Sequence, residues 1–223
     1  HVKAPGEYAK IMLPELTFPY LIPGQEVLLD DGKIHLKIVE KAENVTENGG
    51  ENTQEKRYFA KVLWGGLLKS RKSAALPGAK IYSPTLTNSD LANIKIAKEM
   101  GVTGVMQPFV RDHSDLERVK EVLREAGAED IRLFAKIENM DGVRKLEKLL
   151  PAADEIVIAR GDLGNAVHLW DLPGVQRQIS EKCRAAGKPF MVVTQMLASM
   201  ERSPVPTRAE VNDIFHAVMD GAA

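Results

Sequence analysis

The chain has little that would tie it to a membrane, a secretory route or a polyanion. Cys183 is the only cysteine among 223 residues, which excludes an internal disulfide and is compatible with a reducing compartment. No apolar run approaches the ~20 residues that span a bilayer, and no signal-peptide pattern opens the sequence. No charge of one sign dominates either. Thirty basic against 31 acidic residues leave a net charge of -1, so whole-molecule electrostatics give no reason to expect nucleic acid or an anionic membrane as partner. Any anion binding has to be local, and the cytoplasm is the expected location.

What is there is an ordinary globular composition, 44% hydrophobic and long enough to bury a core. Cys183 shares a helix face with Val175 and Ile179, which reads as core filling. Two hydrophobic periods divide the chain. Up to about Pro77 the pattern is β, with strands expected at Glu26–Leu29, Lys33–Lys41 and Arg57–Trp64. Asp30-Asp31-Gly32 has the composition of a hairpin turn, and Gly65-Gly66 ends the third strand. The polar stretch Glu43–Glu55 reads as a surface loop.

From Thr87 onward helices alternate with strands. Capping-box spacing at Thr87/Asp90, Ser114/Glu117 and Thr207/Glu210 marks helix starts, and Gly101, Gly127, Gly187 and Gly221 mark stops. The expected helices are Ser89–Met100, Asp115–Ala126, Met140–Leu150, Val175–Ala186 and Arg208–Asp220. Between them fall Val102–Val110, Ile131–Ile137, Glu155–Ala159 and Pro189–Thr194, apolar segments of the kind buried parallel strands give. A doubly wound sheet and a (β/α)8 barrel both fit this alternation. Charged residues at the C-terminal ends of consecutive strands suit the active-site face of a barrel.

Those charges are the most informative feature. In Lys136-Ile137-Glu138-Asn139 the strand alternation sends Lys136 and Glu138 to one side and Ile137 to the other. One strand and helix later comes Ala159-Arg160-Gly161-Asp162-Leu163-Gly164, which brings a second carboxylate to a strand end. Glu138 and Asp162 could share a hard divalent cation, with water and substrate oxygens completing its shell. A charge network among Lys136, Glu138 and Asp162 is the plainer alternative. Gly161 allows close backbone approach, and the amides of Gly161 and Asp162 could form an anion nest. Thr194 follows Val192 and Phe190 on one strand face, so its hydroxyl stands at the strand end. Lys69-Ser70-Arg71-Lys72 is the basic cluster of the β region.

These segments, with Thr194-Gln195-Met196-Leu197 and Pro206-Thr207-Arg208-Ala209-Glu210 in the same order, resemble the pyruvate kinase family from about Pro23 to the C-terminus. The resemblance implies transfer of the phosphoryl group of phosphoenolpyruvate to ADP, giving pyruvate and ATP in glycolysis. It implies an α/β fold: part of a (β/α)8 TIM barrel in residues 79–223, and a small inserted all-β, barrel-like lid domain mainly in residues 1–78, with the end of a barrel strand at its start. It assigns Lys136 to transition-state stabilisation, Glu138 and Asp162 to Mg2+ (or Mn2+), Gly161, Asp162 and Thr194 to substrate, and Lys72 to nucleotide phosphates. Arg160 is left between bracing the loop and touching substrate. A homotetramer is implied as well. By the same resemblance the chain is an excerpt of a longer protein, running from near the end of a third barrel strand to just before the eighth, and inactive on its own.

The sequence also departs from the family. His1-Val2-Lys3-Ala4-Pro5-Gly6-Glu7-Tyr8 matches the family's Asp-Thr-Lys-Gly-Pro-Glu-Ile-Arg only through Lys3 and Pro5, so His1, Val2 and Tyr8 stand where the family has ligands for K+ or nucleotide. Pro108 replaces a serine. K+ dependence is therefore expected to be lost. Gly164-Asn165-Ala166-Val167-His168-Leu169-Trp170 is also unlike the family's Gly-Val-Glu-Ile-Pro, with His168 read as a surface residue. Two alternatives use the same residues: a metal-dependent lyase or aldolase working through a pyruvate enolate, and a phosphoenolpyruvate-sensing pseudoenzyme. ADP binding separates the kinase from the lyase.

Overall fold

The computed structural model describes residues 9–42, 56–79, 81 and 83–223. The chain divides into two units, His1–Ser83 and Pro84–Ala223, each built on its own sheet. The expectations for Glu43–Glu55 and for His1, Val2, Lys3, Pro5 and Tyr8 lie outside the described residues.

In the first unit, β1 (Glu26–Leu29), β2 (Ile34–Lys41), β3 (Tyr58–Trp64) and β4 (Ala74–Ala75) pair in the order β3-β2-β1-β4. Each pairing is antiparallel. Alternation places Val27 and Leu29 of β1 in a core with Ile34, Leu36 and Ile38 of β2. The β1–β2 connection needs left-handed backbone: Asp30, Asp31 and Gly32 have φ of 50°, 56° and 81°. Short polar residues and glycine are the types that tolerate it. Among the described residues the strands form an open sheet, whose β3 edge is exposed along most of its length.

The second unit carries β5 (Gly104–Gln107), β6 (Arg132–Ile137), β7 (Glu155–Ala159) and β8 (Phe190–Val193), all parallel and in chain order. That order contains no reversal, and a reversal is what defines a doubly wound sheet. Helix α1 (Asn88–Ala97) precedes β5, and α2 (His113–Glu125) joins β5 to β6. Two short helices, α3 (Met140–Arg144) and α4 (Leu146–Leu149), join β6 to β7. A further pair, α5 (Arg160–Ala166) and α6 (Leu172–Ala185), joins β7 to β8, and α7 (Arg208–Met219) follows β8. Every residue of β7 is buried, as continuous apolar sequence predicts for an inner parallel strand. On β6 only Leu133, Ala135 and Ile137 are buried, so the opposite side, with Phe134 and Lys136, is the more open one. Cys183 lies in the core, where burial pushes its thiol up to about 11.

Thr87/Asp90 and Thr207/Glu210 form complete capping boxes. Ser114/Glu117 does not: Asp112 caps α2 instead, its carboxylate accepting from Ser114 N–H at 3.0 Å. A carboxylate placed before the first turn also suits the helix dipole. Gly101, Gly127, Gly187 and Gly221 follow helices with φ between 61° and 92°, the left-handed step that ends a helix. The single helix expected over 140–150 is interrupted at Lys145, whose φ of -100° and ψ of 10° leave the helical range. Among the described residues no helix is long and apolar enough to cross a membrane.

Candidate functional site

Lys136, Glu138, Gly161, Asp162 and Thr194 meet one edge of the parallel sheet because each follows, or closes, the C-terminal end of a strand. Ile137 pairs with Ile158, and Ala159 with Val193, so the residues just beyond lie side by side. This is the edge where parallel α/β sheets place their ligands.

Glu138 is the most constrained of them. Its side chain is 1% exposed, and Lys136 Nζ stands 2.6 Å from its Oε1. That contact does not have hydrogen-bond alignment, and Oε1 has no hydrogen-bond partner among the described residues. The second oxygen, Oε2, accepts from Phe109 N–H at 2.8 Å. Phe109 itself adopts a φ of 50°, unusual for an aromatic residue. Asn139 completes the link. Its side chain donates to Val110 O at 3.1 Å and accepts from Gly142 N–H at 2.9 Å, capping α3. A Cβ on Gly142 would lie 2.7 Å from Val110 O, so this close approach requires glycine.

The next strand end is joined to the last by a different bond. Gly161 N–H donates to Thr194 Oγ1 at 2.9 Å, so one amide of the expected anion nest is engaged with Thr194. Thr194 and Gln195 have φ of 79° and 54°, a reversal immediately after β8. Such backbone in a β-branched residue is rare and holds only where its surroundings enforce it. Arg160 helps to enforce it by donating to Thr194 O at 2.8 Å and to both carboxylate oxygens of Asp213 at 2.7 Å. Arg160 therefore braces the loop. Glu210 holds the same loop from α7, accepting from Ser199 N–H and Thr207 N–H, each at 2.8 Å. Hydrogen bonds from the Ser199 hydroxyl, Ser199 N–H and Thr207 hold its carboxyl down to about 2. Asp162 stands in the first turn of α5, so the stretch expected as a loop is helical.

Lys72 belongs to the first unit, where its ammonium lies 2.9 Å from Asp30. Pro108 follows β5, and its carbonyl accepts from the Gln107 side chain at 3.2 Å. His168 stacks on Trp170 at 4.8 Å between ring centroids, in agreement with a surface role.

Over most of its length the chain is similar to known proteins. A family model, that of the pyruvate kinase barrel domain, matches residues 7–223. The chain belongs to the pyruvate kinase family. A pyruvate kinase of Geobacillus stearothermophilus is 39% identical over 210 residues, covering 92% of this chain and 34% of the relative. That of Bacillus licheniformis is 37% identical over 198 residues, covering 89% and 32%. That of Chlamydia trachomatis is 34% identical over 212 residues, covering 95% and 41%. The chain thus spans between about a third and two-fifths of the length of these curated relatives.

Within the pyruvate kinase family frame, the donors able to hold a divalent cation are Glu138 Oε1 and the carboxylate of Asp162. Among the described residues no group of three or more His, Cys, Asp or Glu side chains is gathered, so a cation here would rest on these two carboxylates with water and substrate. Glu138 Oε1 is buried without an aligned hydrogen bond and already faces the Lys136 ammonium at 2.6 Å, which leaves lone-pair capacity for a second cation or substrate. Two carboxylates are what Mg2+ commonly accepts from protein. Phe109, Asn139, Gly142 and Asp213 had no assigned role in the sequence reading. Asn139 with Gly142 carries a visible signal, the cap-to-N3 spacing. Phe109 carries none, because its contribution is a backbone amide in an uncommon conformation.

Proposed function

We propose that this chain supplies the phosphoryl-transfer centre of a pyruvate kinase, moving the phosphoryl group of phosphoenolpyruvate to ADP and releasing pyruvate and ATP. The observation that carries the reading is the pairing of Lys136 with a buried, otherwise unsatisfied Glu138 oxygen at a parallel strand end.

Lys136 presents its ammonium at the transferring phosphoryl group, where a fixed cation neutralises charge that spreads over the equatorial oxygens. Glu138 and Asp162 would hold Mg2+ or Mn2+. When bound, that ion supplies Lewis-acid stabilisation of negative charge on substrate oxygens. Glu138, paired with Lys136, carries the negative charge that would offset the repulsion between that ammonium and a bound cation. Thr194 Oγ accepts from Gly161 N–H, which leaves the hydroxyl proton free to point at substrate. Gly161, Asp162 and Thr194 thus orient the substrate carboxylate and the carbon that takes up a proton. Lys72 binds the nucleotide phosphates.

The same reading makes the parallel sheet an arc of a (β/α)8 barrel and the antiparallel unit an inserted lid that excludes water during transfer. The complete protein is a cytoplasmic homotetramer. Its activity is independent of K+, since Pro108 offers no side-chain oxygen where the family has a serine.

The test is Mn2+ binding to the full-length protein, followed by the electron paramagnetic resonance of the free ion. Glu138→Gln removes an anionic ligand and is expected to weaken binding roughly tenfold or more. Unchanged affinity would take Glu138 out of the metal site and remove the main support for the reading.

A further inference from the structure

We propose that Asp30 is a positioning residue for nucleotide binding, acting through Lys72. The inference rests on the reading of Lys72 as the phosphate-binding lysine and deepens it by naming what fixes that side chain.

Three features around Lys72 converge on one placement. Its backbone is set by its neighbours: Arg71 turns through a φ of 58°, and Ser73 is bonded to the β1–β2 hairpin from three directions. Ser73 O accepts from Asp30 N–H at 3.0 Å, Ser73 Oγ accepts from Asp31 N–H at 2.9 Å, and Ser73 Oγ donates to Asp31 Oδ1 at 2.7 Å. Its head is set by Asp30, whose Oδ1 lies 2.9 Å from Nζ. Asp30 is itself held, with a side chain 11% exposed and a second contact to Lys33 at 3.4 Å.

A structural purpose alone explains the backbone bonds of this hairpin but not the choice of partner. The same short segment offers three cations, Lys69, Arg71 and Lys72. Among the described residues only Lys72 has a carboxylate within ion-pair distance. The pairing lowers Asp30 and raises Lys72 in their titrations, so both stay charged across the physiological range. Lys72 nevertheless keeps 37% of its side chain exposed. An ammonium has three hydrogens, and Asp30 takes one direction, which leaves donors for a phosphate oxygen. A free lysine head would have to give up its rotamer freedom when nucleotide arrives; one already held by Asp30 has given it up beforehand. Lys72 is thus pre-aimed while it remains accessible.

The experiment is steady-state kinetics of the full-length protein with ADP varied at saturating phosphoenolpyruvate and Mg2+, on Asp30→Asn, Lys72→Met and the double variant. Lys72→Met is expected to raise the KM for ADP about tenfold, the scale of a lost hydrogen bond to a charged group. Asp30→Asn is expected to raise it about threefold to fivefold with kcat within about twofold, the scale of an exposed ion pair. Asp30→Glu, which keeps the charge at a shifted position, is expected to recover part of the loss and carries the test if the Asn variant does not fold. The double variant is expected to match Lys72→Met alone, because an effect transmitted through Lys72 vanishes once Lys72 is gone. A large effect of Lys72→Met with an unchanged or lowered KM for both Asp30 variants would overturn the positioning role and leave the reading of Lys72 standing. Multiplying effects in the double variant would also overturn it, placing Asp30 on a separate path. An unchanged KM in Lys72→Met would overturn the reading of Lys72, and this inference with it.

Discussion

Glu138 is held by two strand ends at once: Lys136 Nζ approaches its Oε1 at 2.6 Å from its own strand, and Phe109 N–H bonds its Oε2 at 2.8 Å from the loop after β5. The carboxylate is thereby fixed in orientation, with one oxygen saturated by an amide and the other turned to the cation. Removing the cation's charge separates structural from catalytic roles. Lys136→Met in the full-length protein should lower kcat by three orders of magnitude or more, on the order of 4 kcal/mol of transition-state stabilisation, while phosphoenolpyruvate binding stays measurable. Equal losses in binding and turnover would mark Lys136 as a structural lysine. Calorimetric titration beside the rate assay distinguishes the two.

Gly142 gives a test of the scaffold behind Glu138. Its missing Cβ lets α3 approach Val110 O to a distance that alanine could not match, at 2.7 Å from the added carbon. The obstructing atom is backbone, so the strain cannot be relieved by a side-chain rotation. Gly142→Ala should destabilise by about 1–3 kcal/mol, the usual scale of overpacking. Denaturant unfolding measures it, and a neutral or stabilising result would mean that the β5 loop yields more easily than its bonds to Asn139 and Glu138 imply.

Thr194 joins two strand ends through its hydroxyl. Thr194→Val keeps the shape and leaves Gly161 N–H without its partner, so pyruvate formation should fall well below that of Thr194→Ser, which keeps the hydroxyl. Initial rates of the two variants settle the comparison. Similar rates in both would show that the oxygen is dispensable.

Acid should loosen the loop after β8. Glu210 is held down to about 2 by its bonds from Ser199 and Thr207. A carboxylate whose native value is depressed binds more protons when unfolded, so its stabilisation is complete above the ordinary value of about 4.5 and is lost as pH falls through about 2. Asp115 adds to the same window: burial opposes its ionisation, but Arg111 and Thr85 outweigh burial and hold it down to about 2. Glu210→Gln should flatten the fall in Tm between those two pH values in part. An undiminished fall would show that Glu210 contributes nothing to acid sensitivity.

The alternation of strands and helices was legible in the sequence because the second unit obeys local rules. Val119, Val122 and Leu123 repeat at helical spacing on α2, and β7 is an unbroken apolar run. The two capping boxes at Thr87 and Thr207 needed only a side chain and an amide three residues away. Ser114 failed as a cap because the helix begins before it: Asp112 is the N-cap and accepts from both the Ser114 N–H and the Ser114 hydroxyl. The helix Arg160–Ala166 was missed because two glycines in seven residues read as loop. The pairing of Lys136 with Glu138 followed from strand alternation alone. The bonds that fix the site did not follow, since Phe109 with Glu138 and Arg160 with Asp213 join residues 29 and 53 apart.

The most direct measurement is the initial rate of pyruvate formation from phosphoenolpyruvate by the full-length protein with Mg2+, with and without ADP, with ATP assayed in the same samples. The account predicts pyruvate and ATP in equal amounts, formed only when ADP is present, and loss of both in Lys136→Met. Pyruvate released at the same rate without ADP, or no pyruvate under either condition, would contradict it.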